Sequence, residues 1–439
     1  MTNRRAFGWA AIGAFLWIAV VGGAALIGRA AHAADPSTPT KAAPFFGRYE
    51  VLLSAGVWRP IVLGLVLIVV WPVLCRRLRF RYLLPLSSVV ATMWAVAVAT
   101  ITGLAVLASP IANQHDYLPV VARITSPGSF LDTFIARYES FPIHVKGHPP
   151  LAVLAFWILE QIGLGGKWPA TMLVLAVASL AAPATIVLVR NLTGDQQARQ
   201  LAVFAGLSPA VITIATSVDG AIMGVVALTA AAASMAWRAT GNWALALGFL
   251  TGLLAGAALY LSYGAPLLLT PCLAVGILLI RDRKFATIAA MVAGVLVVAG
   301  LFTASGFWLL DGLDLTRAAY KLGISTRRPY WLFIWLNLAA LVGLAGPAPL
   351  AGVAKTLSNY RTAKPNALWL VIAMTLLGVL AADLSGLSKG EVERIWLAFI
   401  PFLLLATIPL ARSQNLARFA LGLQLTAAVF LQVVWRSPW

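Results

Sequence analysis

Charged residues are scarce in this sequence: Asp, Glu, Lys and Arg together make up 10% of its 439 residues, whereas 61% are hydrophobic. That balance excludes an ordinary water-soluble domain, because repeated apolar runs of about 20 residues are typical of membrane-crossing helices. The sequence has only two cysteines, Cys75 and Cys272, which lie far apart at or within apolar runs. Neither a disulfide framework nor a thiolate metal site is indicated.

Acidic residues are the rarer of the two charge types, with 14 against 32 basic residues and a net charge of +18. A basic surface can bind nucleic acid, but only when the basic residues form a patch or stripe on a folded domain. Here they lie mostly in short links between apolar runs, which is the pattern of cytoplasmic loops in membrane proteins. We therefore expect the lipid bilayer as a partner, and no nucleic acid.

The apolar runs predict an all-α integral membrane protein of about 13 transmembrane helices, forming a single polytopic domain over residues 1–439. Residues 1–82 contain the first two spans, 109–167 form an extracytoplasmic segment, and 168–439 contain the remaining helices after the third span. The predicted spans are 8–28, 59–75, 83–108, 168–189, 200–217, 220–237, 242–261, 264–280, 285–306, 329–351, 366–384, 395–411 and 416–434.

The first apolar run could be either a span or a signal peptide. It covers residues 7–27 and is followed by small residues that resemble a cleavage site. Its 21 residues exceed the 7–15 that are typical of a cleaved signal, so a retained first span is favoured over cleavage. Cleavage would leave the orientation of every later helix unchanged.

One apolar run, residues 150–163, is not counted as a span. It is only about 14 residues long, contains Glu160 and follows Pro149, so it suits a juxtamembrane helix better than a crossing. Counting it as a crossing would place the later basic links outside, against the usual distribution of Lys and Arg. With it left out and the N-terminus cytoplasmic, 17 of the 32 basic residues fall in short inner segments. Those segments are 4–5, 76–81, 190–199, 238, 281–284, 355–364 and 412–418.

The same assignment of inner and outer links places most acidic residues at the outer face. Only Asp195 and Asp282 fall inside, so 12 of the 14 carboxylates and all four histidines lie at or near the other side. The longest polar stretch there is the loop 109–149, and loops beyond about 12–15 residues are usually functional or disordered. Because ionisable groups beside a membrane often mark a functional site, this loop is the candidate active site, facing outward from the plasma membrane.

Asp116 is the candidate catalytic residue, within the sequence His115-Asp116-Tyr117. A carboxylate just beyond a span, partly desolvated, can act as a general base toward a hydroxyl. The alternative is a solvated loop aspartate or a helix cap. Asp132 and Asp219 remain open as alternative bases.

Lys146 and His148 precede the juxtamembrane helix, where a cation at headgroup depth can meet a lipid phosphate. The prolines after His148 can also serve only to begin that helix. His144 and His148 have the spacing of two metal ligands on a helix, but Gly147 argues against a helix there. We expect no cofactor, with a divalent metal kept as the alternative.

Asp219 lies in Ser217-Val218-Asp219-Gly220, a short link between two apolar runs. Asp and Gly are ordinary turn formers, so a tight turn explains the pattern without any function. The functional interpretation is a second carboxylate that points into the same outer cavity.

Two further outer links carry candidate binding residues. Glu391, Glu393 and Arg394 lie just before the span 395–411, and such a density of charge can hold a phosphate and orient a sugar. Arg394 can also simply extend to the membrane interface. Arg327 and Arg328 lie outside, against the general trend, and form either a clamp for an anionic lipid head or an interfacial anchor.

The order of these motifs resembles the GT-C superfamily of integral-membrane glycosyltransferases, and the resemblance in organisation covers most of the chain. The motifs that carry it are His115-Asp116-Tyr117, His148-Pro149-Pro150-Leu151, Ser208-Pro209 followed by Asp219, and Glu391-Val392-Glu393-Arg394-Ile395-Trp396. In that family the first large outer loop carries an aspartate base, and the resemblance places Asp116 in that role. More narrowly, the chain is similar to actinobacterial members of the methylthioxylose transferase type, which act on mycobacterial-type envelope glycans.

The family's catalytic loop generally follows the first span, whereas here it follows the third. Either the spans 8–28 and 59–75 are an N-terminal addition, or the correspondence at Asp116 is different. The resemblance implies a polyprenyl-phosphate sugar donor and, as acceptor, a hydroxyl of an envelope glycan or glycolipid.

Two other classes of protein fit the composition. A transporter or lipid-linked-sugar flippase needs ionisable groups deep within its spans or broken helices at the midplane, whereas the charges here crowd the outer face. A non-catalytic scaffold of envelope assembly would tolerate single substitutions at that face without a change in glycan composition.

Overall fold

The protein is a multi-pass helical membrane protein, and the computed structural model describes residues 3–214, 217–358 and 366–437. Within those ranges nine helices are long and apolar enough to cross a membrane. They are Phe7–Ala34, Ala55–Arg77, Phe80–Ala99, Lys167–Thr193, Val218–Arg238, Gly241–Leu261, Phe285–Ala304, Ala367–Leu384 and Gln414–Val434. A tenth crossing would be the pair Tyr330–Ala345 and Pro347–Leu357, which is bent by 96°.

The count of 13 regular spans is not confirmed, because several apolar runs do not form one continuous helix. The run 200–217 is broken after the helix Asp195–Ala202. Gly206, within this run, has a φ of +74°, which residues with a side chain rarely adopt. The run 264–280 contains the separate helices Ala265–Leu268 and Thr270–Arg281.

The last broken run is 395–411, which contains short α and 3-10 turns and the prolines Pro401 and Pro409. Proline removes a backbone donor and interrupts a regular helix. Most of this segment is buried in the protein, as are Phe204 and Leu207 in the broken run 200–217. Irregular backbone is tolerated at membrane depth when protein surrounds it, which explains why these runs are apolar without being regular helices.

The remaining elements are short. Between the spans lie the helices Ala105–Ala108, Leu118–Val121, Pro127–Asp132, Ile143–Lys146, Leu151–Gln161, Val211–Ile214, Leu309–Leu322, Val392–Ile395 and Ile400–Leu403. The 3-10 turns are Ala55–Val57, Pro110–Ala112, Tyr138–Ser140, Ile324–Arg327, Leu397–Phe399 and Leu404–Arg412. Two strands, Arg48–Tyr49 and Trp435–Arg436, pair antiparallel.

Close helix packing depends on small residues in the span Gly241–Leu261. A Cβ added at Gly252 would lie 1.9 Å from the Met291 carbonyl oxygen of the span Phe285–Ala304, and one at Gly248 would lie 2.8 Å from the Thr287 carbonyl oxygen. Small residues that allow backbones to approach are the usual means of joining helices in a membrane. These two spans therefore lie side by side mainly through close backbone packing, and the Tyr260 hydroxyl adds a contact to the Ala299 carbonyl oxygen at 3.5 Å.

The contacts between links gather them at two ends of the bundle. One end, which we call the basic end, joins the links 76–81, 190–199, 237–241 and 281–284. There Arg199 donates to the Cys75 and Leu78 carbonyl oxygens at 3.0 and 2.7 Å, and Lys284 donates to the Ala239 carbonyl oxygen at 2.7 Å. Two basic residues of the predicted inner link 355–364, Arg361 and Lys364, lie outside the described residues.

The opposite end, which we call the site end, contains the paired strands, the loop 109–149, and the links at 217–219, 307–328 and 385–394. Thr316 Oγ1, for example, donates to the Lys146 carbonyl oxygen at 2.8 Å, and the Lys389 amide donates to the Tyr320 hydroxyl at 2.7 Å. The side of the membrane that each end faces stays a prediction.

Candidate active site

Short helical turns shape the polar loop 109–149. Ser126 caps the helix Pro127–Asp132 with its hydroxyl, and the one-turn helix Ile143–Lys146 ends at Gly147. As expected, no helix carries both His144 and His148, because the one-turn helix ends before His148. The helix Leu151–Gln161 follows the prolines and has 11 residues, too few to cross the apolar core of a bilayer.

Asp116 is a buried carboxylate that faces His144. Its side chain is held from both sides: Oδ1 accepts from the Tyr117 backbone amide at 2.8 Å, and Oδ2 lies 3.2 Å from His144 Nδ1. The residue is only 6% exposed. This environment is not that of a solvated loop aspartate, because the carboxylate is buried and has two hydrogen-bond partners.

His148 links the loop to the second carboxylate. Its Nδ1 lies 2.9 Å from the His144 carbonyl oxygen, which can only accept, so Nδ1 carries a proton. The other ring nitrogen, Nε2, lies 3.8 Å from Asp219 Oδ1. The ring of Tyr117 packs edge-on against the imidazole with 6.1 Å between the centroids. The two histidines thus bridge Asp116 and Asp219.

A chain of alternating charges continues from Asp219, and we call the residues Asp219, Arg394, Glu391 and Arg328 the charge chain. Arg394 donates to Asp219 Oδ2 at 3.1 Å and to Glu391 Oε2 at 3.2 Å. Arg328 donates to Glu391 Oε1 at 2.7 Å. Ser217 Oγ donates to Asp219 Oδ2 at 2.5 Å. Three links that are far apart in sequence therefore meet at one buried ionic network.

The two glutamates of the late loop have opposite electrostatic environments. Burial alone would raise the pKa of Glu391, but the guanidinium groups of Arg394 and Arg328 lower it below its usual value. Burial raises the pKa of Glu393 to about 7, and the neighbouring Glu391 carboxylate adds to this effect. Glu391 is therefore an anion within the network, whereas Glu393 exchanges a proton near neutral pH.

The tyrosine beside the catalytic candidate stays neutral. Burial and the carboxylates of Asp116 and Asp219 raise the pKa of Tyr117 well above its usual value. Its phenol is therefore a hydrogen-bond donor at any physiological pH, and it also fills space between the loop and the juxtamembrane helix through Phe156, whose ring centroid is 6.0 Å away.

Backbone geometry at 385–394 depends on one buried amide. Asn337 Nδ2 donates to the Ser388 carbonyl oxygen at 2.8 Å and to Asp383 at 2.9 Å, and its Oδ1 accepts from the Gly390 amide at 2.9 Å. Gly390 has a φ of +81°, and Glu391 has a φ of +62° that is uncommon for a residue with a side chain. This unusual backbone directs Glu391 between the two arginines.

A residue that the sequence analysis did not select completes the wall of the site. The Phe46 amide donates to Glu393 Oε1 at 3.1 Å, and the Arg328 guanidinium lies 5.2 Å from the centre of the Phe46 ring. Glu393 Oε2 is buried without a hydrogen-bond partner among the described residues. The N-terminal segment 1–82 therefore takes part in the site, and a backbone amide on an apolar residue leaves no signal in the sequence.

A small cavity opens between the loop and the charge chain. Its lining includes Asp116, His144, Ser217, Asp219 and Arg394. Two carboxylates, an imidazole and a guanidinium thus face one space. Such a set can take a proton from a hydroxyl, hold other hydroxyls by hydrogen bonds, and offset negative charge.

Three of the predicted binding residues do not join this cluster. His115 is exposed, and its Nε2 lies 3.3 Å from Gln114 Nε2. Lys146 donates to Glu139 Oε2 at 2.6 Å and lies over the Tyr138 ring. Arg327 is exposed, although its neighbour Arg328 is only 2% exposed. The structure thus brings together Asp116, Tyr117, His148, Asp219, Glu391, Glu393, Arg394 and Arg328.

No group of three or more His, Cys, Asp or Glu side chains that could hold a metal ion occurs in the described ranges. The Nδ1 atoms of His144 and His148 face different partners, namely Asp116 Oδ2 and the His144 carbonyl oxygen.

Comparisons with known proteins find little similarity. No family model and no curated protein matches the chain. Among solved structures, the chain is similar to a crystal structure of ArnT from Cupriavidus metallidurans bound to undecaprenyl phosphate, with a TM-score of 0.42 and 15% identity over 73% of this chain. The chain spans 60% of the length of that ArnT chain. The function of this protein therefore has to be argued from the residues of its site.

Proposed function

We propose that this protein is a membrane glycosyltransferase that moves a sugar from a polyprenyl-phosphate donor to a hydroxyl of an envelope glycan or glycolipid. The observation that carries this proposal is the buried Asp116, which faces one cavity together with Asp219 and Arg394. A base, a hydroxyl-binding carboxylate and a cation are the groups that sugar transfer from a phosphate requires.

In the proposed reaction, Asp116 takes the proton of the acceptor hydroxyl as its oxygen attacks the anomeric carbon. The new glycosidic bond forms on the face opposite the bond to the phosphate oxygen, so the configuration is inverted. That carbon–oxygen bond breaks, and its electron pair leaves with the polyprenyl phosphate. The guanidinium groups of Arg394 and Arg328 offset the charge of the leaving phosphate, and the exposed Arg327 offers a further contact from the surface.

The surrounding residues position the reacting groups. His144 keeps the Asp116 carboxylate aimed at the cavity, and His148 holds the loop against Asp219. Asp219, with Glu391 and Glu393 behind it, provides acceptors for sugar hydroxyls, whereas Lys146 and His115 lie at the rim. The reaction runs at the outer face of the plasma membrane, as the distribution of basic links suggests.

The alternative of a transporter or flippase is less well supported. Such proteins bind their substrate near the midplane with ionisable groups or broken helices. In the part of the chain that the structure describes, the charge chain lies at the site end, in two links and at the first turn of the span Val218–Arg238 rather than at mid-span. In the described part of the broken run 200–217, most buried side chains are apolar, as at Phe204, Leu207 and Val211.

The test compares two carboxylates of the same loop. Asp116→Asn keeps the size of the side chain but removes the base, so we expect transfer to fall by about 10²–10⁴-fold, the usual contribution of a general base. Asp132→Asn is the matched control, because Asp132 is exposed and lies outside the cavity. Mass spectrometry of envelope glycans from deleted and complemented cells, together with release of polyprenyl phosphate by purified protein, measures both variants.

An equal loss of transfer activity in the two variants would indicate that the substitutions disrupt the loop. A loss of transfer activity confined to Asp132→Asn would identify Asp132 as the base. Near-normal turnover by Asp116→Asn would overturn the assignment. Unchanged glycans in the deleted cells would favour a scaffold or transporter.

A further inference from the structure

A long apolar groove lies apart from the candidate active site, between the helices Asn3–Ala34 and Gln414–Val434. Its first wall includes Ala14 and Val21, and its second includes Leu423, Ala427 and Phe430. The volume of the groove is about 760 Å³. Small-molecule pockets have about 300–1,000 Å³, so the groove lies toward the upper part of that range, and its lining suits an elongated, mainly apolar occupant.

The length of the groove matches one leaflet of a bilayer. It extends along the first helix from Ala14 to Arg29, which are 15 residues apart, or about 22 Å at 1.5 Å per residue. Half of a bilayer, including its headgroup region, measures about 20–22 Å. A lipid of the leaflet at the site end therefore fits with its head at Arg29 and its tail along the groove.

The mouth of the groove carries an excess of positive charge. Arg48 lies directly opposite Arg436 in the paired strands, and like charges at that position destabilise a sheet. Glu50 bonds to Arg48 with an N–O distance of 2.8 Å and so compensates one cation. Arg29 remains beside Tyr49 on the lining of the groove.

Two arginines beside this mouth have donors without partners in the described ranges: Arg29, which is exposed on the lining, and Arg436, which lies near the lining residue Glu50. Arg436 Nη2 is buried and has no hydrogen-bond partner within the described ranges. Arg29 likewise has no hydrogen bond or ion pair there. A buried guanidinium nitrogen without a partner is costly, and a phosphate oxygen would satisfy it with a charge-assisted hydrogen bond.

From this combination we infer that the groove binds an anionic phospholipid, with the phosphate between Arg29 and Arg436 and an acyl chain between the two helices. The site is separate from the cavity at Asp116, so the inference does not depend on the proposed sugar transfer. The two sites share one connector, because Phe46 contacts Glu393 and Tyr49 lines the groove only three residues later.

Native mass spectrometry of the full-length protein tests this inference. The protein is released from nanodiscs that contain phosphatidylglycerol and phosphatidylcholine in equal amounts. We expect one phosphatidylglycerol per chain to be retained in preference to phosphatidylcholine. In the double variant Arg29→Gln/Arg436→Gln, the preference should fall about 30-fold, because each basic residue near a membrane surface contributes about fivefold to binding of an anionic lipid.

The charge control uses the basic end. Arg77→Gln/Arg283→Gln removes two exposed arginines there and should leave the preference unchanged. A second pair tests the groove itself. Gly22 lines the groove and has no atom within 4 Å of an added Cβ, so Gly22→Phe should fill it and abolish retention of either lipid. Gly23→Phe is equally open but lies outside the lining, so it should retain the lipid.

Three results would overturn the inference. Equal retention of both lipids by the unaltered protein would remove the role of charge, and retention by Gly22→Phe would remove the role of the groove. Replacement of phosphatidylglycerol by added polyprenyl phosphate, with the same dependence on Arg29 and Arg436, would assign the groove to a different lipid. Unchanged thermal unfolding of each variant in detergent shows that loss of binding is not loss of folding.

Discussion

The two ends of the helical bundle use the same residue types in different ways. At the basic end, ion pairs are exposed: the side chains of Arg190 and Asp195 are 44% and 58% accessible. At the site end, the corresponding values for Arg394 and Asp219 are 10% and 7%. Arginines of the basic end also bond to backbone carbonyl oxygens, as Arg199 does after the span Ala55–Arg77.

This difference separates a structural role from a functional one. Carbonyl groups at the end of a helix lack partners within the helix, and an arginine nearby satisfies them. The members of the charge chain bond to one another, and burying them costs desolvation energy that a well-packed apolar cluster would avoid. Its position next to a cavity supports the role in substrate binding that we propose for it.

Removal of one cation from the charge chain should have the largest effect on stability. Arg394→Met leaves the carboxylates of Asp219 and Glu391 buried without their shared partner, so we expect the free energy of unfolding to fall by about 3–5 kcal/mol. Denaturant titration in detergent micelles, followed by tryptophan fluorescence, measures this change. A loss below about 1 kcal/mol would mean that the buried ion pairs of the site end stabilise the protein no more than the exposed ion pairs of the basic end.

The next effect concerns pH. Because the pKa of Glu393 is raised to about 7 in the folded state from its usual 4.5, the folded protein binds more protons than the unfolded chain between these values. Stability should therefore fall as pH rises from about 4.5 to 7, by about 3 kcal/mol, and change little from this group above that.

The control for this effect is Glu393→Gln, which cannot ionise. The difference in free energy of unfolding between the two proteins, measured at intervals from pH 4.5 to 8, isolates the contribution of Glu393. A difference that stays constant over this interval would show that Glu393 is not the titrating group.

An intermediate effect is expected for the arginine that serves helix ends. Arg199→Met removes charge-assisted hydrogen bonds to the Cys75 and Leu78 carbonyl oxygens. Each such bond contributes about 1.5–3 kcal/mol when buried, but these two are only partly buried. We expect a total loss of about 1–2 kcal/mol. The same titration measures it, and transfer activity should not change. A loss of transfer without a loss of stability would contradict the assigned structural role.

The smallest effect is expected for an exposed pair of the basic end. Asp195→Asn removes the partner of Arg190, whose Nε lies 2.7 Å from Asp195 Oδ1. Exposed ion pairs contribute about 0–1 kcal/mol, so the free energy of unfolding should change by less than 1 kcal/mol. Adding salt should reduce this small difference further. A larger change would mean that burial does not distinguish the two ends.

Local order along the chain was predictable from the sequence, and contacts between distant residues were not. His148-Pro149-Pro150 predicted a helix from about residue 150, and the structure has Leu151–Gln161. The pairing of Asp219 with Arg394, 175 residues apart, has no counterpart in local spacing. Hydropathy also recognised the apolar runs but not their breaks, because buried irregular segments are as apolar as regular spans.

Two neighbouring residues of the same type show most clearly what the sequence does not predict. Arg327 and Arg328 were treated alike, yet one is exposed and the other lies between Glu391 and Phe46. Which of two adjacent side chains is buried depends on the 3-10 turn Ile324–Arg327 and on a contact with a loop nearly 300 residues earlier. Propensity and charge patterning contain no information of this kind.

The short strand pair near residues 48 and 436 has a consequence for how the protein is made. The Glu50 and Leu52 amides donate to the Val434 and Val433 carbonyl oxygens, so the connector that contains Phe46 is anchored by residues that follow it far along the chain. Spans inserted early therefore hold an unanchored connector until residues 433–436 have been synthesised. In a chain interrupted before residue 433 we expect the contact between the Phe46 amide and Glu393 to be weakened, because its anchor is missing.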